Sequence, residues 1–280
     1  MPTGNGISIV IRDKPRQFAT DQARIELGGR LVISYSIRKY CGLVIIVLFR
    51  SVPLEYQATI KGAYMTDKFI PTGMTRKEAE AIIPRLGKAS KMPCKTYNIP
   101  ASLCKTGARL RKIKGSTCYG CYAFKGNYLF PSVQEGMMKR FDAFYEDGFV
   151  EAMIIMIKAT NKSKYFRWFD SGDVHDMEML DKIVMVCNGT PEVKHWLPTR
   201  EVQLISEYKK TKEFPKNLIV RLSATMIDGK PSKSHRWTST VHSAKLPIGY
   251  DCPSRFQNNS CGDCRACWDK RIPNVSYHKL

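Results

Sequence analysis

The chain has 280 residues, of which 43% are hydrophobic and 25% are charged, so wholesale disorder is excluded and a sizeable core can form. The net charge of +20 indicates an acidic partner. Nucleic acid or a nucleotide is the first candidate, a membrane surface the second, and a solvated lysine-rich surface the plain alternative. The longest apolar run, residues 42–49, is too short to span a bilayer, and no signal peptide is recognisable. We therefore expect a soluble, cytoplasmic protein without a membrane partner.

Residues 1–64 show weak periodicity and no motif, which predicts a poorly defined N-terminal extension. Lys61 and Gly62 can be encoded by a purine-rich stretch a few nucleotides ahead of the Met65 codon, which is how a bacterial ribosome-binding site looks in translation. One hypothesis is that Met65 is the authentic start. The alternative is a small β-rich extension that belongs to the native product.

Regular structure is predicted from Thr75 onward. Thr75 with Glu78 three residues later forms a capping-box pattern, which predicts a helix ending near Gly87. Residues 92–128 are rich in glycine and proline and predict a long functional loop. Further helices are expected at 131–145 and 150–159.

Three apolar segments, residues 165–173, 193–200 and 218–225, each end in a polar cluster. Helix-like sequence at 177–187 and 201–210 separates them, and a further strand is expected at 237–242. This alternation is typical of βα units on a parallel sheet. The prediction is an α/β fold, a partial or full βα (TIM-like) barrel over residues 65–248, followed by a metal-bound subdomain at 249–280.

Chemistry in such folds gathers where the parallel strands end. Asp170 and Asp173 could divide acid and base roles or hold a metal, although Asp173 could instead cap the next helix. Arg200 suits a carboxylate or phosphate, or an interior ion pair with one of the aspartates. His195 is interpreted as a packed strand residue. The remaining residues expected to bind a cofactor at these strand ends are Ser171, Gly172, Thr199, Ser223 and Thr225.

The tail carries the strongest chemical signal, Cys261, Cys264 and Cys267 at two-residue separations, with Cys252 upstream. Clustered cysteines in a reducing compartment favour metal binding over disulfides. A run of this kind with a distant Cys-Pro partner, here upstream, is closer to iron–sulfur spacing than to paired zinc knuckles. Zinc stays an alternative, with His278 replacing one cysteine, and so do buried or disulfide-bonded cysteines.

A second cysteine group comprises Cys94, Cys104, Cys118 and Cys121. Three of these thiolates could hold a cluster with one iron left open for substrate or cofactor. A redox-active or structural pair is the alternative.

Cations alternate with aromatic residues in the same loop, as expected for phosphate contact combined with base stacking, although a solvated loop has the same composition. The candidate nucleic-acid-binding residues are Lys105, Arg109, Arg111, Lys112, Lys114, Tyr119 and Tyr122.

From about Lys91 to its end the chain resembles the bacteriophage gene product 88 family. The segments that carry the resemblance are residues 98–101, 115–123, 167–173, 222–225 and 252–268. The resemblance implies a phage or prophage protein acting in the host cytoplasm, and it implies no settled activity.

The Cys118-Tyr-Gly-Cys121-Tyr-Ala motif with the strand ends is also similar to phage proteins of the radical S-adenosylmethionine superfamily. That similarity implies a partial βα barrel, a [4Fe–4S] cluster on Cys104, Cys118 and Cys121, and S-adenosylmethionine bound at the strand ends. The sequence departs from the superfamily's usual Cys-x3-Cys-x2-Cys loop, because thirteen residues separate Cys104 from Cys118.

A third similarity is to tRNA-guanine transglycosylases, which combine a βα barrel, an Asp-Ser-Gly turn and a zinc site. It implies that Asp170 is a base or nucleophile in base exchange. Three functions are thus expected: an iron–sulfur enzyme, a zinc transglycosylase, or a non-enzymatic nucleic-acid-binding module whose loops are held by metal.

Overall fold

The computed structural model describes the backbone of three N-terminal strands and, in full, residues 71–83 and 85–279. The chain divides into two compact units, residues 1–66 and 67–280. Residues 42–49, the Lys61–Met65 stretch and the proposed start at Met65 lie outside the described residues.

The N-terminal unit contains a three-stranded antiparallel sheet in the order β1-β2-β3. Its strands are β1 (Ser8–Ile11), β2 (Thr20–Leu27) and β3 (Arg30–Arg38). Residues Ile25 and Glu26 interrupt the register between β2 and β3.

A seven-stranded sheet forms the centre of the second unit, and every pairing in it is parallel. Its order is β4-β5-β6-β7-β8-β10-β9. The α/β prediction is therefore confirmed. Among the described residues no pairing joins the edge strands β4 and β9. The strands are β4 (Thr96–Tyr97), β5 (Tyr165–Trp168), β6 (Lys194–Thr199), β7 (Leu218–Ile227), β8 (Thr238–His242), β9 (Tyr250–Asp251) and β10 (Asn274–His278).

Five of the six described helices correspond to periodic segments of the sequence, although the first ends at Ile82 and not near Gly87. The predicted capping box is formed, because Thr75 Oγ1 accepts from the Glu78 amide and the Glu78 side chain accepts from the Thr75 amide. The helices are α1 (Arg76–Ile82), α2 (Lys105–Leu110), α3 (Pro131–Ala143), α4 (Phe149–Thr160), α5 (Met177–Gly189) and α6 (Val202–Thr211). In the described part of the chain, no helix is long and apolar enough to cross a bilayer.

The sheet is covered by different elements on its two faces. Along β7, Leu218, Val220 and Leu222 pack into the main core with the helices, while Ile219 packs with Trp268 of the tail. This alternation follows the two-residue period of a strand. The tail therefore covers one face of the sheet, and through β10 it also supplies a strand between β8 and β9.

The prediction of a continuous loop over residues 92–128 was wrong in detail. The segment contains the edge strand β4 and the helix α2. A two-residue strand and a helix with Gly107 at its centre carry too short a hydrophobic pattern to be recognised in the sequence.

Candidate metal centres in one cleft

One cleft of about 1180 Å³ lies at the carboxyl ends of the parallel strands and brings both cysteine groups together with the polar strand ends. The predicted residues that line it are Cys104, Arg111, Cys118, Tyr119, Cys121, Tyr122, Asp170, Ser171, Gly172, Asp173, Arg200, Ser223, Cys252, Cys261 and Cys267. The predicted residues outside its lining are Lys105, Arg109, Lys112, Lys114, Thr199, Thr225 and Cys264.

Cys104 and Cys118 turn their sulfurs toward each other over Gly107. A Cβ atom added at Gly107 would lie 3.7 Å from Cys104 Sγ and 3.6 Å from Cys118 Sγ. A larger side chain would fill the space between the two thiols. The pKa of Cys104 is raised to about 12, first by burial and then by Asp173 and the neighbouring Cys118 and Cys121 thiols, while Arg200 opposes them. The Cys104 thiol is therefore protonated at neutral pH, and a bound cation would make it a thiolate.

The loop that carries these cysteines is held against the strand ends by polar contacts. Glu201, directly after β6, accepts hydrogen bonds from the Thr106 amide at 2.8 Å and the Thr106 hydroxyl at 2.8 Å. The Thr117 amide donates to the Thr225 carbonyl at 2.9 Å, and Arg200 Nε donates to Thr117 Oγ1 at 3.1 Å. The position of Cys118 is therefore fixed by the ends of β6 and β7.

The tail cysteines form a second group of mutually close thiols. Burial raises the pKa of Cys261, and the neighbouring Cys252 and Cys264 thiols raise it further. Burial also raises the pKa of Cys267 to about 12, although its hydrogen-bond partner Tyr277, at 3.2 Å, lowers it. All four predicted tail ligands thus lie close to one another. Every cysteine of the described residues is a free thiol.

Cys94 belongs to the tail group and not to the group of Cys104, so this part of the sequence interpretation was wrong. Burial is the main cause that raises the pKa of Cys94 to about 12, and Cys261 adds to it. Cys94 packs with Trp196 and Trp268. The reason is that β4 separates Cys94, which precedes the strand, from Cys104, which follows it.

Arg167 is a cation between the cysteine groups. Its guanidinium lies 4.6 Å from the centre of the Trp196 ring, and its buried Nε has no hydrogen-bond partner. Burial lowers the pKa of Arg167, but Tyr122 and Asp170 outweigh this effect and raise it. No carboxylate of the described residues lies within ion-pair distance of Arg167, so its charge is available to an anionic group in the cleft.

One carboxylate oxygen of Asp170 accepts hydrogen bonds, and the other has no hydrogen-bond partner among the described residues. Its Oδ2 accepts from Asn98 Nδ2 at 3.1 Å and from the Tyr128 hydroxyl at 3.0 Å. Its Oδ1 is buried without a partner. Because a buried acceptor without a partner is costly, this atom marks where a ligand donor would bind.

Asp173 organises the turn before Arg200. Its Oδ1 accepts from the Val174 amide at 2.8 Å and its Oδ2 from the Arg200 amide at 2.9 Å. Burial raises the pKa of Asp173 to about 6, against the lowering effect of hydrogen bonds from Thr199 and the Arg200 amide. The alternative that Asp173 caps the next helix was wrong, because Asp176 is the N-cap of α5. Arg200 forms no ion pair with an aspartate in the described part of the chain.

The other strand-end residues differ in what they contact. Ser171 Oγ is buried without a partner, so it can serve a ligand, whereas Ser223 is bonded to Ser239 Oγ at 3.1 Å. Gly172 has a φ of +84°, and a Cβ there would lie 2.2 Å from Ile99 Cγ1. The glycine is thus required by packing against Ile99.

Thr199 and Thr225 serve the backbone at the strand ends. Thr199 is buried, and its Oγ1 accepts from the Glu201 amide at 3.0 Å. Thr225 contributes its carbonyl oxygen to the contact with Thr117.

A basic and aromatic surface borders the cleft. Tyr119 is 54% exposed. Two other candidates have partners within the protein: Arg111 lies 4.2 Å from the centre of the Phe124 ring, and the Tyr122 hydroxyl donates to the Asp170 carbonyl. Exposed Ile113, Leu129 and Phe130 adjoin these residues in the chain and were not predicted. None of the candidate cations forms an ion pair within the described residues; they are Lys105, Arg109, Arg111, Lys112 and Lys114.

The family model described as gene product 88 matches residues 71–270, well over half of the chain. The chain belongs to the bacteriophage gene product 88 family. The matched region contains both cysteine groups and the strand-end residues of the cleft. No curated protein and no solved structure matches the chain.

Proposed function

We propose that this member of the gene product 88 family is an iron–sulfur protein that acts on nucleic acid or nucleotides in the host cytoplasm, with the cleft as its active site. The observation that carries the proposal is that both cysteine groups and the polar ends of β5, β6 and β7 line the same cleft. The sequence spacing of Cys261, Cys264 and Cys267, with Cys252-Pro upstream, supports clusters over single zinc ions.

Within this proposal the two cysteine groups have different roles. Cys104, Cys118 and Cys121 would hold a [4Fe–4S] cluster through three thiolates, with one iron left open for substrate or cofactor. The tail cysteines close a second centre with four thiolates; they are Cys252, Cys261, Cys264 and Cys267. A cluster supplies one-electron transfer, which S-adenosylmethionine chemistry of the radical type requires, and a barrel-like curvature of the sheet would shelter it.

The residues beside the cysteines bind and orient the substrate. Asp170 Oδ1 accepts a hydrogen bond from a ligand hydroxyl or amino group, and Ser171 Oγ lies beside it as a second unpartnered group. Arg200, held by Asp173 and Thr117, faces an anionic group such as the carboxylate of S-adenosylmethionine. The basic and aromatic surface holds phosphates and bases outside the cleft.

Anaerobic purification followed by iron and sulfide analysis tests the cofactor. The expected result is a brown protein that binds iron, and that after reduction cleaves S-adenosylmethionine. Cys104→Ser should abolish cleavage while the tail centre keeps its iron. Cys187→Ser is the matched control, because Cys187 is a fully buried cysteine in α5, outside the cleft lining. A colourless protein with stoichiometric zinc would refute the iron–sulfur proposal. Iron without cleavage would favour the non-enzymatic binding module.

The Oδ1 atom of Asp170, which has no hydrogen-bond partner, favours a second candidate function, that of a zinc-dependent base-exchange enzyme similar to the transglycosylases. In that reaction Asp170 would act as nucleophile or base at the nucleoside. Incubation with RNA and a radiolabelled base distinguishes the candidates. Incorporation that Asp170→Asn abolishes would support base exchange, and no incorporation by the zinc-loaded protein would exclude it.

A further inference from the structure

Two histidines and one aspartate meet at the carboxyl ends of the last three strands. His242 of β8 and His278 of β10 are direct partners in the parallel register. Asp251 ends β9 and pairs with Ser276 of β10. One ligand atom from each of the three residues lies within 4.8 Å of those of the other two.

The distances between these atoms match those between ligands of a single ion. With Nε2 of both histidines as ligand atoms, Asp251 Oδ1 lies 3.7 Å from His242 Nε2 and 3.1 Å from His278 Nε2. With metal–nitrogen and metal–oxygen bonds of about 2.1 Å, tetrahedral ligands are about 3.4 Å apart. The observed distances lie on either side of this value, so an ion fits with small side-chain rotations.

Two polar atoms of the group have no hydrogen-bond partner in the described part of the protein. His278 Nε2 and Asp251 Oδ1 are 3.1 Å apart, yet both are buried without a hydrogen-bond partner, because their geometry is not that of a hydrogen bond. An Asp–His–His hydrogen-bonded chain would instead satisfy this pair. An ion would satisfy both atoms together.

A second layer already orients one ligand. His242 is buried, and its Nδ1 lies 2.8 Å from Ser276 Oγ, which lies 3.1 Å from Thr240 Oγ1. Metal-binding histidines commonly use their second nitrogen in this way, which fixes the ring and leaves the other nitrogen for the metal. Nε2 of His242 then faces both other residues of the group, at 3.1 Å from His278 Nδ1 and 3.7 Å from Asp251 Oδ1.

We propose that His242, Asp251 and His278 form a mononuclear site for a divalent transition-metal ion such as Zn²⁺ or Fe²⁺, separate from the cysteine groups. Two histidines and one carboxylate leave coordination positions open, which is typical of catalytic and not of structural metal sites. His278 also lines the cleft, so the open positions are accessible to a water or substrate oxygen there. The site does not depend on what the cysteines hold.

The test uses Co²⁺ as the probe, added to the full-length protein purified anaerobically with its cysteine groups as isolated. We expect one equivalent of Co²⁺ to give visible ligand-field bands without thiolate-to-cobalt charge transfer in the near ultraviolet. His242→Gln and Asp251→Asn should each weaken binding more than about 100-fold, and Ser276→Ala about 10-fold. Iron and sulfide content should stay at the wild-type level in all three variants.

His175→Ala is the matched control and should bind Co²⁺ like the wild type. His175 is also beside an aspartate, 3.5 Å from Asp176, but has no third ligand. If a ligand variant does not fold, as judged by circular dichroism, the milder Ser276→Ala variant decides the outcome. The proposal is overturned if the wild type binds no Co²⁺ or if the ligand variants bind normally. It is also overturned if the bound Co²⁺ shows thiolate charge transfer that Cys252→Ser removes. None of these results depends on iron–sulfur or cleavage activity, so they separate this site from the function proposed above.

Discussion

Arg221 is a fully buried cation that connects the sheet to the cysteine tail. It lies in β7, and the five N–H groups of its guanidinium reach six backbone carbonyls at 3.0–3.2 Å, so that at least one N–H group is shared between two carbonyls. No carboxylate of the described residues neutralises it. The acceptors are the carbonyls of Thr238, Ala266, Cys267, Asp269, Ile272 and Pro273.

The substitution Arg221→Lys keeps the charge but not the geometry. A lysine ammonium has three donors, so at least half of the six carbonyls lose their partner. Breaking a buried, charge-assisted network of this kind costs about 3–5 kcal/mol. A native protein is stable by only about 5–15 kcal/mol, so this loss is a large part of the total.

Urea unfolding followed by circular dichroism measures the effect. With a slope near 3 kcal/mol per molar urea, roughly the upper end for small proteins, the midpoint should fall by about 1–2 M. Arg271→Lys is the matched control, because Arg271 is in the same loop but bonds only Asp269 and is 89% exposed. Its midpoint should barely move, since exposed ion pairs contribute little. Equal shifts in the two variants would refute the argument that the buried carbonyl network holds the tail.

Three further predictions rest on separate features. Burial lowers the pKa of His195 to about 3. The folded protein therefore keeps the neutral ring, and the stability that this gives is present above pH 6.5 and is lost as the pH falls toward 3. At pH 5 the free energy of unfolding is lower by about 2 kcal/mol. His195→Gln should flatten this part of the pH dependence in urea titrations, and an unchanged slope would contradict it. Gly172→Ala should destabilise by at least about 2 kcal/mol, because of the positive φ and the contact with Ile99, and a thermal melt equal to the wild type would exclude this. Lys112→Glu combined with Lys114→Glu should weaken the binding of single-stranded RNA about 10-fold at low salt. It should also reduce the slope of log affinity against log salt concentration by about 1.4. An unchanged slope would show that these lysines do not contact phosphate.

The central βα units could be predicted because local pattern and tertiary structure agree there. Each of β5, β6 and β7 is an apolar run that ends in polar residues, and parallel strands place those ends on one edge. Asp170, Asp173 and Arg200 consequently lie together in the cleft as expected. Their detailed roles were not predictable, because the Asp173 contacts come from backbone amides that the sequence does not identify.

The features that sequence reasoning missed depend on long-range register. His242 and His278 are 36 residues apart, and only the pairing of β8 with β10 makes them neighbours. Arg221 gave a usable signal, a single arginine inside the apolar segment Leu218–Leu222. Such a charge must find acceptors when the strand is central, but the sequence does not say that a cysteine-rich loop supplies them.

The order of the last three strands explains why the tail cysteines and the His–Asp group lie at the carboxyl end of the sheet. β9 ends at Asp251, so Cys252 leaves the sheet at its carboxyl end, where β5 and β6 also end. The chain then crosses the face of the sheet, where the Trp268 indole donates to the Phe166 carbonyl at 2.9 Å, before β10 returns to that edge at His278. Because β10 is inserted between β8 and β9, the tail cannot shift without breaking the sheet. The insertion therefore holds the tail cysteines and the His–Asp group in a fixed position relative to the Cys104 loop, which is anchored to the ends of β6 and β7.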